Sequence, residues 1–313
     1  MKFQLNKLPG LEALPNGAVV IGRKESSPIP FKLDQGYSFS PDEVRTLVLW
    51  ANIGSTEPFF IHGPTGSGKS SLVQQFAGRL NIPCMTVCGH ARMELSDLVG
   101  YIAIQKDGSM SWIDGPLTIS MRKGYWFLLD EIDLIDPGTL AGLNAVLQGQ
   151  PLIIPENEGE VILPHPSFRF LATGNTAGNG DDTGRYQGTV AQNMAAMDRF
   201  WVMEKGYMAF DKEVEVLRGQ TTKIPEPALR MLVNFAFEVR EQFDQGNISV
   251  TLSTRSLCRV VQIASYTWQR AMAGHDVILE ALEVSMIAKA PKDEQEALRS
   301  MKQRVFGEAT ETE

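Results

Sequence analysis

The chain has 313 residues, 43% of them hydrophobic, and a formal net charge of −8 at pH 7. This is enough apolar material for one large or two medium cores, and the acidic balance disfavours a broad nucleic-acid footprint, although a narrow basic pore is not excluded. Three cysteines argue against a disulfide framework and for a reducing compartment; the opening "MKFQLNKLPGLEALPNG" has no signal-peptide core and "YWFLL" is far short of a bilayer span, so a cytoplasmic protein is expected.

Residues 1–39 are rich in Pro and Gly without a sustained period and read as an N-terminal extension that packs on something larger. At "SPDEVRTLVLWA" a helix starts, with Ser40 as N-cap, Pro41 at the first helical position and Glu43 closing a capping box; Val44, Leu47, Val48 and Ala51 share one face. The order is then strand, loop, helix, repeated. "PFFIH" (58–62) is a short apolar strand, a helix follows from about Lys69 to Leu80, and "PCMTVCG", "YWFLLDE", "SFRFLATGN" and "RFWVME" are further strands. Short apolar strands alternating with helices predict an α/β domain over 40–219 with a parallel five-stranded sheet covered on both faces. Two segments interrupt it as β-hairpins: 97–117, turning at Asp107-Gly108, and 151–165, turning at Glu158-Gly159. After Gly219 the strands stop; Leu229, Leu232, Val233 and Ala236 form one helical face and Leu257, Val260, Val261 and Ala264 another, so a helical domain is expected over 220–313, with the tail "GEATETE" frayed.

Between the first strand and its helix lies "GPTGSGKSS", Gly63, Pro64, Thr65, Gly66, Ser67, Gly68, Lys69, Ser70 and Ser71, which fits G-x-x-x-x-G-K-[ST] in the context that motif requires. Its glycines let backbone N–H groups turn inward on phosphates, Lys69 reaches the terminal phosphates, and Ser70 offers an oxygen to Mg²⁺. ATP and Mg²⁺ are the expected ligands. "YWFLLDEID" delivers Asp130 and Glu131 at the carboxyl end of a strand, where ligands sit in open α/β sheets: Asp130 to hold the magnesium through water, Glu131 to polarise the attacking water. The alternative is two acids capping the next helix. Arg255 sits in the first turn of a helix capped by Ser253 or Thr254; a cation there opposes the helix dipole at about 0.3–1 kcal/mol, so something anionic is expected to compensate, either a local carboxylate or a ligand. "CMTVCGH" brings Cys84, Cys88 and His90 close together, but the spacing matches no zinc pattern, and the cysteines read as buried small hydrophobes.

With these two motifs in order, the chain resembles the AAA+ ATPases. That resemblance implies a P-loop AAA+ core with a C-terminal helical lid domain, makes Asn175 in "FLATGN" the sensor that positions the lytic water, Arg199 in "MDRF" the finger offered across a subunit boundary, and Arg255 the sensor on the lid. Read alone, an Arg between a small helix and a strand is more often a surface ion pair, and its place in the motif order is what favours the finger. The two hairpins are similar to the helix-2 insert and pre-sensor hairpin of the clade that includes MoxR-type chaperones and chelatase motors. Within it, "PIPFKLDQGYSF", "GHARMELSDLVG", "PHPSFRFLATGNTAGNGDDTGRYQGT" and "NMAAMDRF" resemble the CobS-like ATPase subunits of aerobic cobaltochelatase, over roughly residues 28–205. The resemblance implies a homo-oligomeric ring, a hexamer, working with a von Willebrand-type or chelatase-type partner protein; the acidic charge speaks against nucleic acid and the short apolar runs against a membrane. A MoxR-type chaperone outside cobalamin synthesis and a nucleic-acid remodeller are the alternatives. The glycines of the third stretch, with Asp181, Asp182 and Thr183, make a turn-rich loop that reads equally as plain surface or as an interface.

Overall fold

A computed structural model describes residues 1–307 except 13, 15, 16, 55, 182 and 183; of the expected features, Asp182, Thr183 and the end of the tail, 308–313, lie outside the described residues. The chain forms two compact units, one of Met1–Pro64 with Lys69–Lys205, the other of Thr65–Gly68 with Gly206–Glu313.

The first unit opens with an antiparallel pair, β1 (Lys2–Gln4) and β2 (Val19–Ile21), followed by α1 (Pro41–Ile53), β3 (Phe59–His62), α2 (Lys69–Arg79) and β4 (Cys84–Cys88). Next come α3 (Leu95–Val99), β5 (Gly100–Ile104), β6 (Met110–Asp114), α4 (Pro116–Lys123), β7 (Trp126–Asp130), α5 (Pro137–Ala141) and α6 (Asn144–Leu147). The unit ends with β8 (Leu152–Ile154), β9 (Glu160–Ile162), β10 (Arg169–Gly174), α7 (Met194–Met197) and β11 (Trp201–Glu204). Five strands make one sheet in the order β11-β3-β10-β7-β4, every pair parallel. The sheet and the helical C-terminal region are as the sequence predicts.

Successive strand residues point to opposite faces, and the apolar runs feed two cores accordingly. Phe59, Ile61, Trp126, Leu128 and Leu171 pack with Val44, Leu47 and Trp50 of α1 and Leu72, Val73 and Phe76 of α2. Phe60, Phe127, Leu129, Phe170 and Ala172 face Leu117 and Met121 of α4 and Leu140 and Leu143 on the other side. The N-terminal extension packs on this same unit: Leu5, Leu11, Leu14 and Val20 are buried in the α1/α2 core.

The expected hairpins form as β5/β6 and β8/β9, each antiparallel. Their outward residues stay bare, with Ile104, Met110, Ile153 and Leu163 all exposed. Arg122 of α4 donates Nε to Asp114 of the first hairpin at 2.8 Å and Nη2 to Glu160 of the second at 2.7 Å, tying the two together.

The capping box at Ser40 does not form. Ser40 makes no side-chain cap bond, and Glu43 instead accepts from Lys205 Nζ at 2.8 and 2.7 Å. Lys205 is 4% exposed, and a buried ammonium competes for the carboxylate more strongly than a backbone N–H at a wet helix end does.

In the second unit α8 (Phe210–Gln220), α9 (Glu226–Asp244), α10 (Thr254–Thr267), α11 (Val277–Ser285) and α12 (Lys292–Gly307) share one core, which buries the two predicted faces together with Val214 and Leu217 of α8. No helix among the described residues is long and apolar enough to cross a membrane.

Candidate active site

Parallel pairing in register brings His62, Gly174, Asp130 and Cys88 to the same edge of the sheet, because β3, β10, β7 and β4 end together. The phosphate loop leaves from that edge. Gly63 takes φ 146°, and a Cβ there would lie 2.1 Å from the Lys205 carbonyl oxygen, so only glycine fits; Gly66 and Gly68 have φ 71° and 89°. Lys69 opens α2 and curls back: its Nζ donates to Gly63 O at 2.8 Å, Pro64 O at 3.0 Å and Asn175 Oδ1 at 3.0 Å. The loop tip, Thr65–Gly68, belongs to the second unit, where Tyr207 donates to Thr65 O at 2.9 Å and Ser253 closes on Gly66. Ser67 is buried and its Oγ has no partner among the described residues. Ser71 follows in the first turn of α2.

Ser70 Oγ donates to Asp130 Oδ1 at 2.6 Å, and Thr173 Oγ1 donates to the same oxygen. Glu131 leaves the strand in the left-handed region, φ 58° and ψ 48°, its N–H held by Thr173 Oγ1 at 3.2 Å. A non-glycine residue there is uncommon, and Asn81 and Glu158 are the others among the described residues. Cys88 Sγ donates to Glu131 Oε2 at 3.5 Å. Burial, then the Glu131 charge, push this thiol up to about 11, so it stays a protonated donor. Burial first, and the Lys69 charge with it, hold the His62 imidazole below its ordinary value, against the pull of Glu204.

The cysteines depart from the expectation of uniform burial. Cys88 is exposed beside Glu131 because the last residue of the edge strand looks onto the site, while Cys84 and Cys258 are partly covered. No cluster of three His, Cys, Asp or Glu able to hold a metal exists among the described residues.

Lys69 thus ties Gly63, Pro64 and Asn175 together, and its chain neighbour Ser70 starts a second hydrogen-bonded group with Asp130 and Thr173, which Glu131 joins through its N–H. Arg199 stands apart. It lies just after α7, donates Nη1 to Ala195 O and, with the Gln148 amide oxygen turned toward it, donates Nη2 and Nε at 2.6 and 2.9 Å. Arg255 is exposed on the first turn of α10, whose N-cap is Ser253, bonded to Ser256 N. Gln148 and Asp133 carry no motif of their own in the sequence, and Thr173, near the end of β10, takes the further part of bonding both Asp130 and Glu131. The run "DEID" does carry a third acid, which was the available signal for Asp133.

The donor set fits a nucleoside triphosphate with magnesium. A hydroxyl and a carboxylate within hydrogen-bond reach are oxygen ligands of the kind Mg²⁺ takes, glycines leave the loop backbone open, and an ammonium points into the loop. Ser70 and Asp130 would hold the ion, which when bound supplies charge neutralisation at the phosphates.

A five-stranded parallel sheet carrying a phosphate loop, an Asp-Glu pair and a polar strand end, followed in the chain by a helical unit, defines a P-loop ATPase domain of the AAA+ class. The AAA domain of the dynein-related subfamily matches residues 58–186, and the CbbQ/NirQ/NorQ C-terminal family matches residues 213–305. The chain is 31% identical over 283 residues to the aerobic cobaltochelatase subunit CobS of a Sinorhizobium species, covering 88% of this chain and 82% of that one. It is 27% identical over 270 residues to YojN of Bacillus subtilis, covering 85% and 81%. Midasin of Giardia intestinalis is 29% identical over 172 residues, 54% of this chain but 3% of midasin. The chain belongs to the MoxR-type AAA+ ATPases and is related to CobS.

Proposed function

We propose that this chain is a magnesium-dependent ATPase that works as a homo-oligomeric ring, a hexamer, in the cytoplasm and remodels a partner protein in the manner of CobS. Family membership supports ATP hydrolysis, and the observation that carries the mechanism is the pair of hydrogen bonds Lys69–Asn175 and Ser70–Asp130 set side by side at the start of α2, with Glu131 beside the second through Thr173. Glu131 takes a proton from water as its oxygen bonds to the terminal phosphorus; the bond from that phosphorus to the bridging oxygen breaks, giving ADP and phosphate. Asn175 orients the water. Arg199 completes the neighbouring subunit's pocket and Arg255 reads the phosphates from the helical unit.

The hairpins supply the working surface: Tyr101, Ile104, Met110 and Ile153 expose large apolar area on paired strands, as partner-binding surfaces do. The relation to CobS supports a chelatase-type partner, reached through a von Willebrand-type subunit. A MoxR-type chaperone role outside cobalamin synthesis rests on the same family. Nucleic acid as the substrate has only the ring in its favour and the charge of −8 against it.

The test is phosphate release by the purified chain, alone and as Glu131→Gln. The variant should bind ATP with parental affinity yet hydrolyse about 10²–10⁴-fold more slowly, the usual worth of a general base. Unchanged turnover would remove Glu131 from the mechanism. Capture of a von Willebrand-type protein by the ATP-loaded variant would support the chelatase-type reading.

A further inference from the structure

The glycine-rich stretch after β10 acquires a role once its anchor is seen. Asp133, in the turn that follows Glu131, is fully buried. Its Oδ2 accepts from Asn175 N at 2.6 Å, Thr176 N at 2.9 Å and Thr176 Oγ1 at 3.3 Å, while Oδ1 has no partner among the described residues. Its own carbonyl accepts from Val190 N at 2.8 Å. Gln192, also buried, donates Nε2 to Ile135 O at 2.9 Å and Ile132 O at 3.3 Å, gripping the same turn. The stretch closes on itself there: Gln192 N donates to Gly178 O at 2.8 Å, Asn179 bridges Ala191, and Gly178 N leans on Thr176 Oγ1 at 3.4 Å.

Asn175 is the first residue past the end of β10, so the strand ladder, whose last partner there is Gly174 with His62, no longer dictates its backbone. Two groups do. Lys69 holds the side-chain oxygen, and Asp133 holds the N–H from below. A carboxylate kept from water and satisfied by backbone N–H groups is a strong and directional anchor.

We propose that Asp133 is the positioning residue for Asn175: it fixes the backbone from which the Asn175 amide reaches the phosphate loop, and Thr176, Val190 and Gln192 clasp the turn that carries it. The proposal rests on the reading of Asn175 as the residue that orients the lytic water. Asp133→Ala would leave the Asn175 and Thr176 N–H groups without an acceptor, so Asp133→Asn, isosteric but replacing the charged acceptor by a weaker amide oxygen and placing an NH2 group in the same buried site, is the primary variant.

The experiment combines three readouts on Asp133→Asn, Asn175→Ala and the double variant. Turnover of Asp133→Asn should fall by about 10- to 100-fold, the cost of misplacing a catalytic group by around 1 Å, while the affinity for a fluorescent ATP analogue stays parental. The double variant should be no slower than Asn175→Ala beyond about twofold, because both changes remove the same function. Amide hydrogen exchange, measured without nucleotide, should quicken at Asn175 and Thr176 in Asp133→Asn. Losses that multiply in the double variant, or unchanged exchange at those amides, overturn the proposal. An Asn175→Ala variant with parental turnover overturns the water-orienting reading itself, and the exchange measurement then still decides whether Asp133 fixes that backbone.

Discussion

Lys69 and Asn175, 106 positions apart in the chain, share a hydrogen bond: Lys69 Nζ donates to Asn175 Oδ1 at 3.0 Å. The ammonium also serves two loop carbonyls, Gly63 O and Pro64 O, all of them neutral acceptors. Phosphate oxygens are stronger acceptors than any of the three, so on the proposed function a bound triphosphate would draw Lys69 toward itself and free the Asn175 amide for water.

The two residues should therefore fail differently. Lys69→Ala should lose ATP binding. Asn175→Ala should bind ATP as the parent does and turn over about 10- to 100-fold more slowly, as when a positioned group is removed. Titration with a fluorescent ATP analogue beside steady-state phosphate release checks this; equal loss of affinity in both variants would contradict it.

Which of these features are legible in the sequence follows from the range of the interactions. The phosphate loop, the strand ending in Asp130 and both hairpins are local patterns, spelled by glycine spacing, apolar runs and turn residues. What went unseen is long-range. Glu43 looked like a capping-box acid because its three-residue offset from Ser40 is local, whereas Lys205, its actual partner, is 162 positions away. Cys88 read as core because isolated cysteines usually are, but an edge strand's last residue faces the site. Asp133 was one acid among several until folding buried it beneath Asn175.

The Glu43–Lys205 pair gives a stability prediction. Glu43→Ala strands a buried ammonium and should destabilise the chain by about 3–5 kcal/mol, the usual cost of breaking a buried pair from one side. Glu43→Leu with Lys205→Met should recover most of that loss. Denaturant unfolding followed by tryptophan fluorescence measures both; a double variant as unstable as the single one would show that the pair does more than satisfy itself.

Cys88 gives a pH prediction. Its thiol is raised from 9.0 to about 11, so the protonated form is the one the fold favours. The stability linked to it is fully present below pH 9 and is lost as pH rises toward 11. At neutral pH the thiolate fraction is small, and Cys88 should alkylate well below the rate of an unperturbed thiol despite its exposure. Glu131→Gln removes a neighbouring negative charge and should speed the labelling. Peptide-resolved mass spectrometry with iodoacetamide reads this; fast labelling at pH 7.5, or no effect of Glu131→Gln, would contradict it.

The central claim is that Arg199, held on its own subunit by Ala195 and Gln148, completes the active site of the next one. Mixing inactive Lys69→Ala and inactive Arg199→Ala chains measures this most directly, since an Arg199→Ala loop beside a Lys69→Ala finger is a whole site. The account predicts recovery of phosphate release that peaks near equal proportions at about a quarter of the parental rate, the share of complete interfaces in randomly mixed closed rings. Activity that never exceeds the sum of the two separate variants at any ratio, or an Arg199→Ala chain as fast as the parent, would contradict it.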